Sequence, residues 1–144
     1  MTVDVSLERV SALDSAWFAG CDFGLDPAGR AYPFDPAYSV SLGPERRMIA
    51  VARIDGRVAG YAACQRDGDA GEVRRLEIDH AARGQGLGRL LLGEARRWAG
   101  EQGLAALVLE TMADNPAAGR FFAHQGFVLI RQAKALHWQL TLRD

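Results

Sequence analysis

The chain has 144 residues, the usual size of one domain and enough to bury a core. Hydrophobic residues make up 49% and charged residues 24%, which excludes wholesale disorder, a collagen-like repeat or a coiled coil. Seventeen basic against eighteen acidic residues leave a formal charge of −1, so the broad positive field of a dedicated nucleic-acid binder is missing. Two distant cysteines, Cys21 and Cys64, form neither a disulfide framework nor a zinc ribbon and suit a reducing compartment. The first residues lack a basic stretch followed by an apolar one, and no run approaches the ~18 apolar residues of a membrane span. The cytoplasm is the expected location.

Taken in chain order, Thr2 to Val5 reads as a short strand. Leu7, Val10, Leu13, Trp17 and Phe18 recur near helical spacing, which predicts a helix from about Leu7 to Ala19 that stops at Gly20. Gly20 to Pro44 is rich in proline, glycine and aspartate, with the aromatics Phe23, Tyr32, Phe34 and Tyr38, and reads as an irregular segment. From Arg47 two apolar runs flank Asp55-Gly56, a pair suited to the positive φ angles of a type I′ hairpin. A second turn around Asp67 to Gly71 leads into a strand over Glu72 to Asp79, completing a three-strand meander.

Leu87, Leu90, Leu91, Ala95, Trp98 and Ala99 predict the apolar face of a helix closed by Gly100 and Gly103. Ala105 to Glu110 is a short apolar strand, and the strand–helix–strand succession predicts a parallel pair joined by a crossover. Asn115-Pro116 reads as an N-cap followed by proline at the first helical position, and Gly126 stands where that helix should end. Strands over Phe127 to Arg131 and Leu136 to Leu142 close the chain.

The most informative stretch runs from Leu76 to Leu91, a strand entering a helix through a glycine-dense turn. A helix N-terminus presents unpaired N–H groups and the positive end of a dipole, and glycines admit an anion close to the backbone. Arg83 and Arg89 flank the turn and could add charge-assisted contacts. Gly84, Gly86 and Gly88 do not supply a dinucleotide GxGxxG, and no GxxxxGK[ST] occurs, so neither a Rossmann fold nor a P-loop is supported.

Arg83-Gly84-Gln85-Gly86-Leu87-Gly88 resembles the [Q/R]xxGxG acetyl-CoA pyrophosphate motif of the GCN5-related N-acetyltransferases. Leu76, Glu77 and Ile78 are similar to the strand whose backbone holds the pantetheine arm in that family. Asn115, Ala118, Phe121, Phe122, Gly126 and Phe127 resemble its second conserved helix at the expected spacing. The resemblance covers about residues 47 to 130. It implies an α/β fold, a single acetyltransferase-like domain over 1–144 whose mixed central sheet has an antiparallel meander, a parallel strand pair and flanking helices. It also implies acetyl transfer from acetyl-CoA, as cosubstrate, to a primary amine by direct attack in a ternary complex. Cofactor contacts are expected from Leu76, Glu77, Ile78, Arg83, Gly84, Gln85, Gly86, Leu87, Gly88, Arg89, Asn115 and Phe122.

Two positions depart from the family pattern. His80 replaces a frequent proline, and Phe122 replaces the tyrosine thought to protonate the departing thiolate. With an ordinary thiol pKa of roughly 8.5 the thiolate can still leave near neutral pH, and water, Tyr32 or Tyr38 could deliver its proton. A backbone N–H on the Leu76 to Ile78 strand is the expected oxyanion donor. Period-2 alternation would put Glu72, Arg74, Leu76 and Ile78 on one face, making Glu72 the first candidate base and Glu110 the second. The bland alternative for Glu72 is a strand-end carboxylate paired with Arg74 or Lys134.

The three histidines show no metal-ligand spacing, so no metal is expected, and no serine lies in a GxSxG elbow. The expected partner is a small-molecule or peptide amine, with no nucleic acid and no membrane, and a homodimer is left open. Asp22, Asp26 and Asp35 mildly suit a cationic acceptor. The competing reading is a non-catalytic acetyl-CoA-binding regulatory module; O-acetylation and longer acyl groups are further alternatives.

Overall fold

The computed structural model describes residues 3–23 and 43–143. The readings placed on Tyr32, Phe34, Tyr38, Asp26 and Asp35 lie outside the described residues. Seven strands follow one another as β1 (Val5–Val10), β2 (Arg47–Ile54), β3 (Arg57–Asp67), β4 (Ala70–Ile78), β5 (Ala106–Met112), β6 (Val128–Gln132) and β7 (Ala135–Thr141). Helix α1 (Leu87–Glu101) connects β4 to β5, and α2 (Pro116–His124) connects β5 to β6. The strands form one sheet in the order β1-β2-β3-β4-β5-β7-β6. Among the described residues only the β4–β5 pair is parallel.

Strand β3 is buried from Val58 to Cys64 because both of its faces are covered. On one side Ala62 and Cys64 join a cluster with Leu87, Leu91, Leu92, Ala95 and Trp98 of α1 and Phe122 of α2. Tyr61 and Ala63 face the other way, into a cluster with Leu13, Phe18, Ile49 and Val51. Leu92, absent from the expected α1 face, is buried, whereas Leu90 is 40% exposed. Trp98 is core, as its apolar face suggests. Close packing of α1 requires Gly71 on β4, since a Cβ there would come within 2.9 Å of Trp98 Cζ3 and 3.0 Å of Leu107 Cδ2.

The hairpin at Asp55-Gly56 forms with φ of 50° and 82°, the two positive angles of a type I′ turn. Gly68-Asp69 makes the next two-residue turn, between Asp67 and Ala70. At the far end Asn115 caps α2, its side-chain oxygen accepting the Ala118 N–H at 3.2 Å. Gly126, at φ 96°, ends the helix. There the Phe127 N–H donates to the Phe122 carbonyl at 3.0 Å and the Gly126 N–H to the Ala123 carbonyl at 3.1 Å, a Schellman closure. Asn115→Ala should therefore cost about 1 kcal/mol, seen by calorimetry as a melting temperature lower by roughly 3 °C.

An N-terminal strand is present but runs from Val5 rather than ending there, and the expected helix from Leu7 to Ala19 is absent. Residues from Leu7 onward form no α-helix: β1 extends to Val10 and pairs antiparallel with β2, Leu7 opposite Ala52 and Val5 opposite Ile54. A 3-10 turn over Ser15–Phe18 follows, with the Asp14 carboxylate accepting the Ala16 N–H at 2.9 Å. Val5 and Leu7 pack toward α1, and Leu13 and Phe18 belong to the opposite cluster. The apparent helical period thus joins a period-2 strand to a turn. Charged side chains suit this edge position. Arg9 reaches Glu94 at 2.7 Å and Glu101 at 2.8 Å on α1, holding β1 against the helix.

Candidate active site

Parallel pairing between β4 and β5 stops after three rungs, Ala70–Ala106, Gly71–Leu107 and Glu72–Val108. Beyond Glu72 the strands part, so Val73 to Ile78 and Leu109 to Met112 border a fork in the sheet. On that side the β4 backbone from Val73 onward has no strand partner among the described residues, so its polar groups could pair with an extended ligand. At the top of the fork the chain passes through a short 3-10 turn, His80–Ala82, into the glycine turn and α1.

Gly86 is the N-cap of α1 at φ 81°, and among the described residues no side chain caps the helix. Gly84 has the same φ, and a Cβ at either position would meet nothing within 4 Å. The N-terminus of a fifteen-residue helix, preceded by two left-handed glycines, has the geometry that could receive a phosphate group. Gly88 differs: a Cβ there would lie 3.2 Å from Phe121 Cζ, so its absence lets α1 and α2 approach. Gln85 and Arg89 are exposed beside the cradle, and Leu87 is buried beneath it. Arg83 instead donates to backbone carbonyls, Nε to Ile78 at 3.4 Å and Nη2 to Phe23 at 3.3 Å. Together with the Asp22 N–H on the Asp79 carboxylate at 3.0 Å, these bonds pin residues 22–23 to the end of β4.

The face expected for Glu72 needs correction. The β3–β4 register moves from Ala63–Arg75 to Cys64–Val73, so Arg74 is an extra residue, a β-bulge. The bulge reverses the alternation: Val73, Leu76 and Ile78 pack toward the helices. Glu77 stands opposite Tyr61 and Arg75 opposite Ala63, whose side chains lie in the other cluster. Glu72 therefore does not share a face with Leu76 and Ile78. It sits on the last paired rung, 3.2 Å from Arg74 Nη1, so the bland pairing with Arg74 is present. Glu110 lies on β5 past that rung, 58% exposed, with His137 Nδ1 at 3.3 Å. Glu77 was read from sequence only as a backbone contact; the signal for its side chain was a carboxylate between two strand aliphatics, Leu76 and Ile78.

Burial is the main reason that the Glu77 carboxyl holds its proton more tightly than usual, with Arg75, 3.5 Å away, and Arg83 opposing it. The Tyr61 phenol is pushed up to about 12, first by burial and then by Glu77, so it is neutral. Burial likewise pushes the Cys64 thiol to about 12, with Glu72 adding to the rise. Phe122 is 8% exposed, its ring against Phe121 and Phe127 at centroid distances of 5.0 and 5.6 Å. A separate cavity of about 240 Å³, lined by Arg9, Glu45, Arg47 and Trp98, holds none of the candidate residues. Among the described residues no group of three or more His, Cys, Asp or Glu could hold a metal ion, and no helix is long and apolar enough to cross a membrane.

Residues 14–127 match the family model "Acetyltransferase (GNAT) family". An IAA acetyltransferase of Azospirillum brasilense is 35% identical over 105 residues, 69% of this chain and 68% of the relative. Two other curated relatives are longer, the chain covering 32% and 19% of them. The fold is shared with the ribosomal-protein-S18-alanine N-acetyltransferase of Escherichia coli, at TM-score 0.74 and 20% identity over 99% of this chain and 96% of that one. It is also shared with the PaiA N-acetyltransferase of Thermoplasma acidophilum, solved with coenzyme A, at TM-score 0.63 and 18% identity over 67% and 61%. The mixed sheet with its single parallel pair, the glycine turn and the matched span agree: the chain belongs to the GNAT acetyltransferase family.

Proposed function

We propose that the protein transfers an acetyl group from acetyl-CoA to a primary amine of a small molecule or peptide. The observation that carries this reading is the fork between β4 and β5, which opens directly beside the uncapped N-terminus of α1. In this reading the N–H groups at the start of α1, with Gly84, Gln85, Gly86, Leu87 and Gly88, receive the pyrophosphate. The free β4 edge at Leu76, Glu77 and Ile78 takes the pantetheine arm, and Arg89, Asn115 and Phe122 border the cofactor. Arg83 contributes by holding residues 22–23 against the strand end. A coenzyme A complex of a protein with this fold supports the choice of cosubstrate.

Acetyl-CoA supplies the activated acyl group; the chain must orient the amine and take a proton from it. Of the two carboxylates that the sequence offers for that task, Glu72 and Glu110, Glu110 is the better placed because it borders the fork. Two free thiols, Cys21 and Cys64, suit a cytoplasmic setting.

The test is the release of free thiol from acetyl-CoA with a panel of polyamines, amino acids, aminoglycosides and peptide N-termini. We expect turnover with at least one amine class. Silence across the panel, with acetyl-CoA still raising the melting temperature, would favour the regulatory-module reading, toward which a phenylalanine at position 122 leans.

A further inference from the structure

We propose that the side chain of Glu77 is the general base that accepts the proton of the acceptor amine. This rests on the acetyl-transfer reading above and adds a residue to it. Glu77 lies on the stretch of β4 beyond the last rung with β5, so its strand edge borders the fork. The bulge at Arg74 turns its side chain away from the helices and onto the face of Tyr61. Its backbone thus remains at the fork's edge while its carboxylate lies on the face of the sheet opposite α1, part of it open to solvent.

The surroundings suit a base. The Glu77 side chain is 20% exposed, beside a ring cluster in which Tyr61 meets Phe18 at 5.1 Å and Phe23 at 5.9 Å. Among the described residues, the charged or titratable groups around it are Arg75 of its own strand, Tyr61 of β3 and Arg83 of the turn that follows. Arg75 is 3.5 Å away, a long contact that leaves carboxylate lone pairs for an amine. Burial also moves the carboxyl toward neutral pH, where a base works best. Glu72 is held at 3.2 Å by Arg74 on a closed rung, and Glu110 is the most exposed of the three. In the step itself the amine nitrogen bonds to the acetyl carbon as the carbon–sulfur bond breaks. Glu77 takes the proton of the ammonium before attack, and the surplus proton left on nitrogen afterwards passes through water to the departing coenzyme A thiolate.

Glu77→Gln and Glu77→Asp are compared with wild type, using the best amine of the panel. Glu77→Gln should lose at least about tenfold in kcat near pH 7 and recover at high pH, where the amine loses its own proton. The KM for acetyl-CoA and the rise in melting temperature that it produces should stay within about twofold of wild type. Glu77→Asp, which keeps a carboxylate, should recover part of the rate. Wild-type kcat in Glu77→Gln across the pH profile would overturn the proposal and return the proton to Glu110 or Glu72. A lost acetyl-CoA-induced shift in that variant would overturn it too, by making Glu77 a support of the cofactor strand. Failure of wild type on every amine is a different result, and it would overturn the acetyl-transfer reading along with the base.

Discussion

Acetyl-CoA at about a hundredfold excess over its Kd is expected to stabilise the wild-type protein by about 2.7 kcal/mol, and Gly86→Val to abolish that gain. For a chain of this length the wild-type gain corresponds to roughly 8 °C in melting temperature. Gly86 sits at φ 81°, with nothing within 4 Å of the place a Cβ would take. A Cβ there meets no described atom, so the main cost to the free protein is the left-handed backbone, of order 1–3 kcal/mol for a residue other than glycine. The variant should fold, melt several degrees lower, and show no shift with the cofactor, because its side chain stands where a phosphate would meet the N–H groups of α1. Gly88→Ala separates the two kinds of glycine. Its Cβ presses on Phe121 at 3.2 Å, so it should lower stability with and without acetyl-CoA and keep most of the shift. An undiminished shift in Gly86→Val would remove the pyrophosphate assignment.

The second large effect concerns Phe122. Its ring packs against Phe121 and Phe127, and its carbonyl accepts the Phe127 N–H that closes α2. Phe122→Ala should cost about 3–5 kcal/mol, lowering the melting temperature by roughly 10 °C. Phe122→Tyr is the informative partner. It restores the hydroxyl that the family resemblance leads one to expect, at a position 8% exposed. If that hydroxyl reaches the fork, turnover below neutral pH should rise, where thiolate departure needs most help, with acetyl-CoA affinity unchanged. If it stays buried without a partner, the protein loses about 1–3 kcal/mol and turnover does not change. Thermal melts and a pH–rate profile on one preparation separate the two outcomes.

Several features were legible in the residues themselves because a local backbone requirement writes them there. Asp55-Gly56 states a turn that needs two positive φ angles, Asn115-Pro116 and Gly126 state the two ends of α2, and Gly84 and Gly86 state the left-handed approach to α1. Leu91, Ala95 and Trp98 mark a helical face long enough to leave no competing period. These signals span a few residues each, so the order of elements from β2 onward and the left-handed glycine turn before α1 followed from sequence. Tertiary pairing decided the rest. Residues 5–10 became a strand because β2 offered an edge, and a short stretch with apolar residues at mixed spacing fits either period until a partner selects one. The bulge at Arg74 exists only in the register of β4 against β3, and a single extra residue in a strand of period two transfers the side chains beyond it to the opposite face. The sequence therefore named two of the carboxylates, Glu72 and Glu110, while strand pairing closed the rung at Glu72 and left Glu110 and the unnamed side chain of Glu77 beyond it.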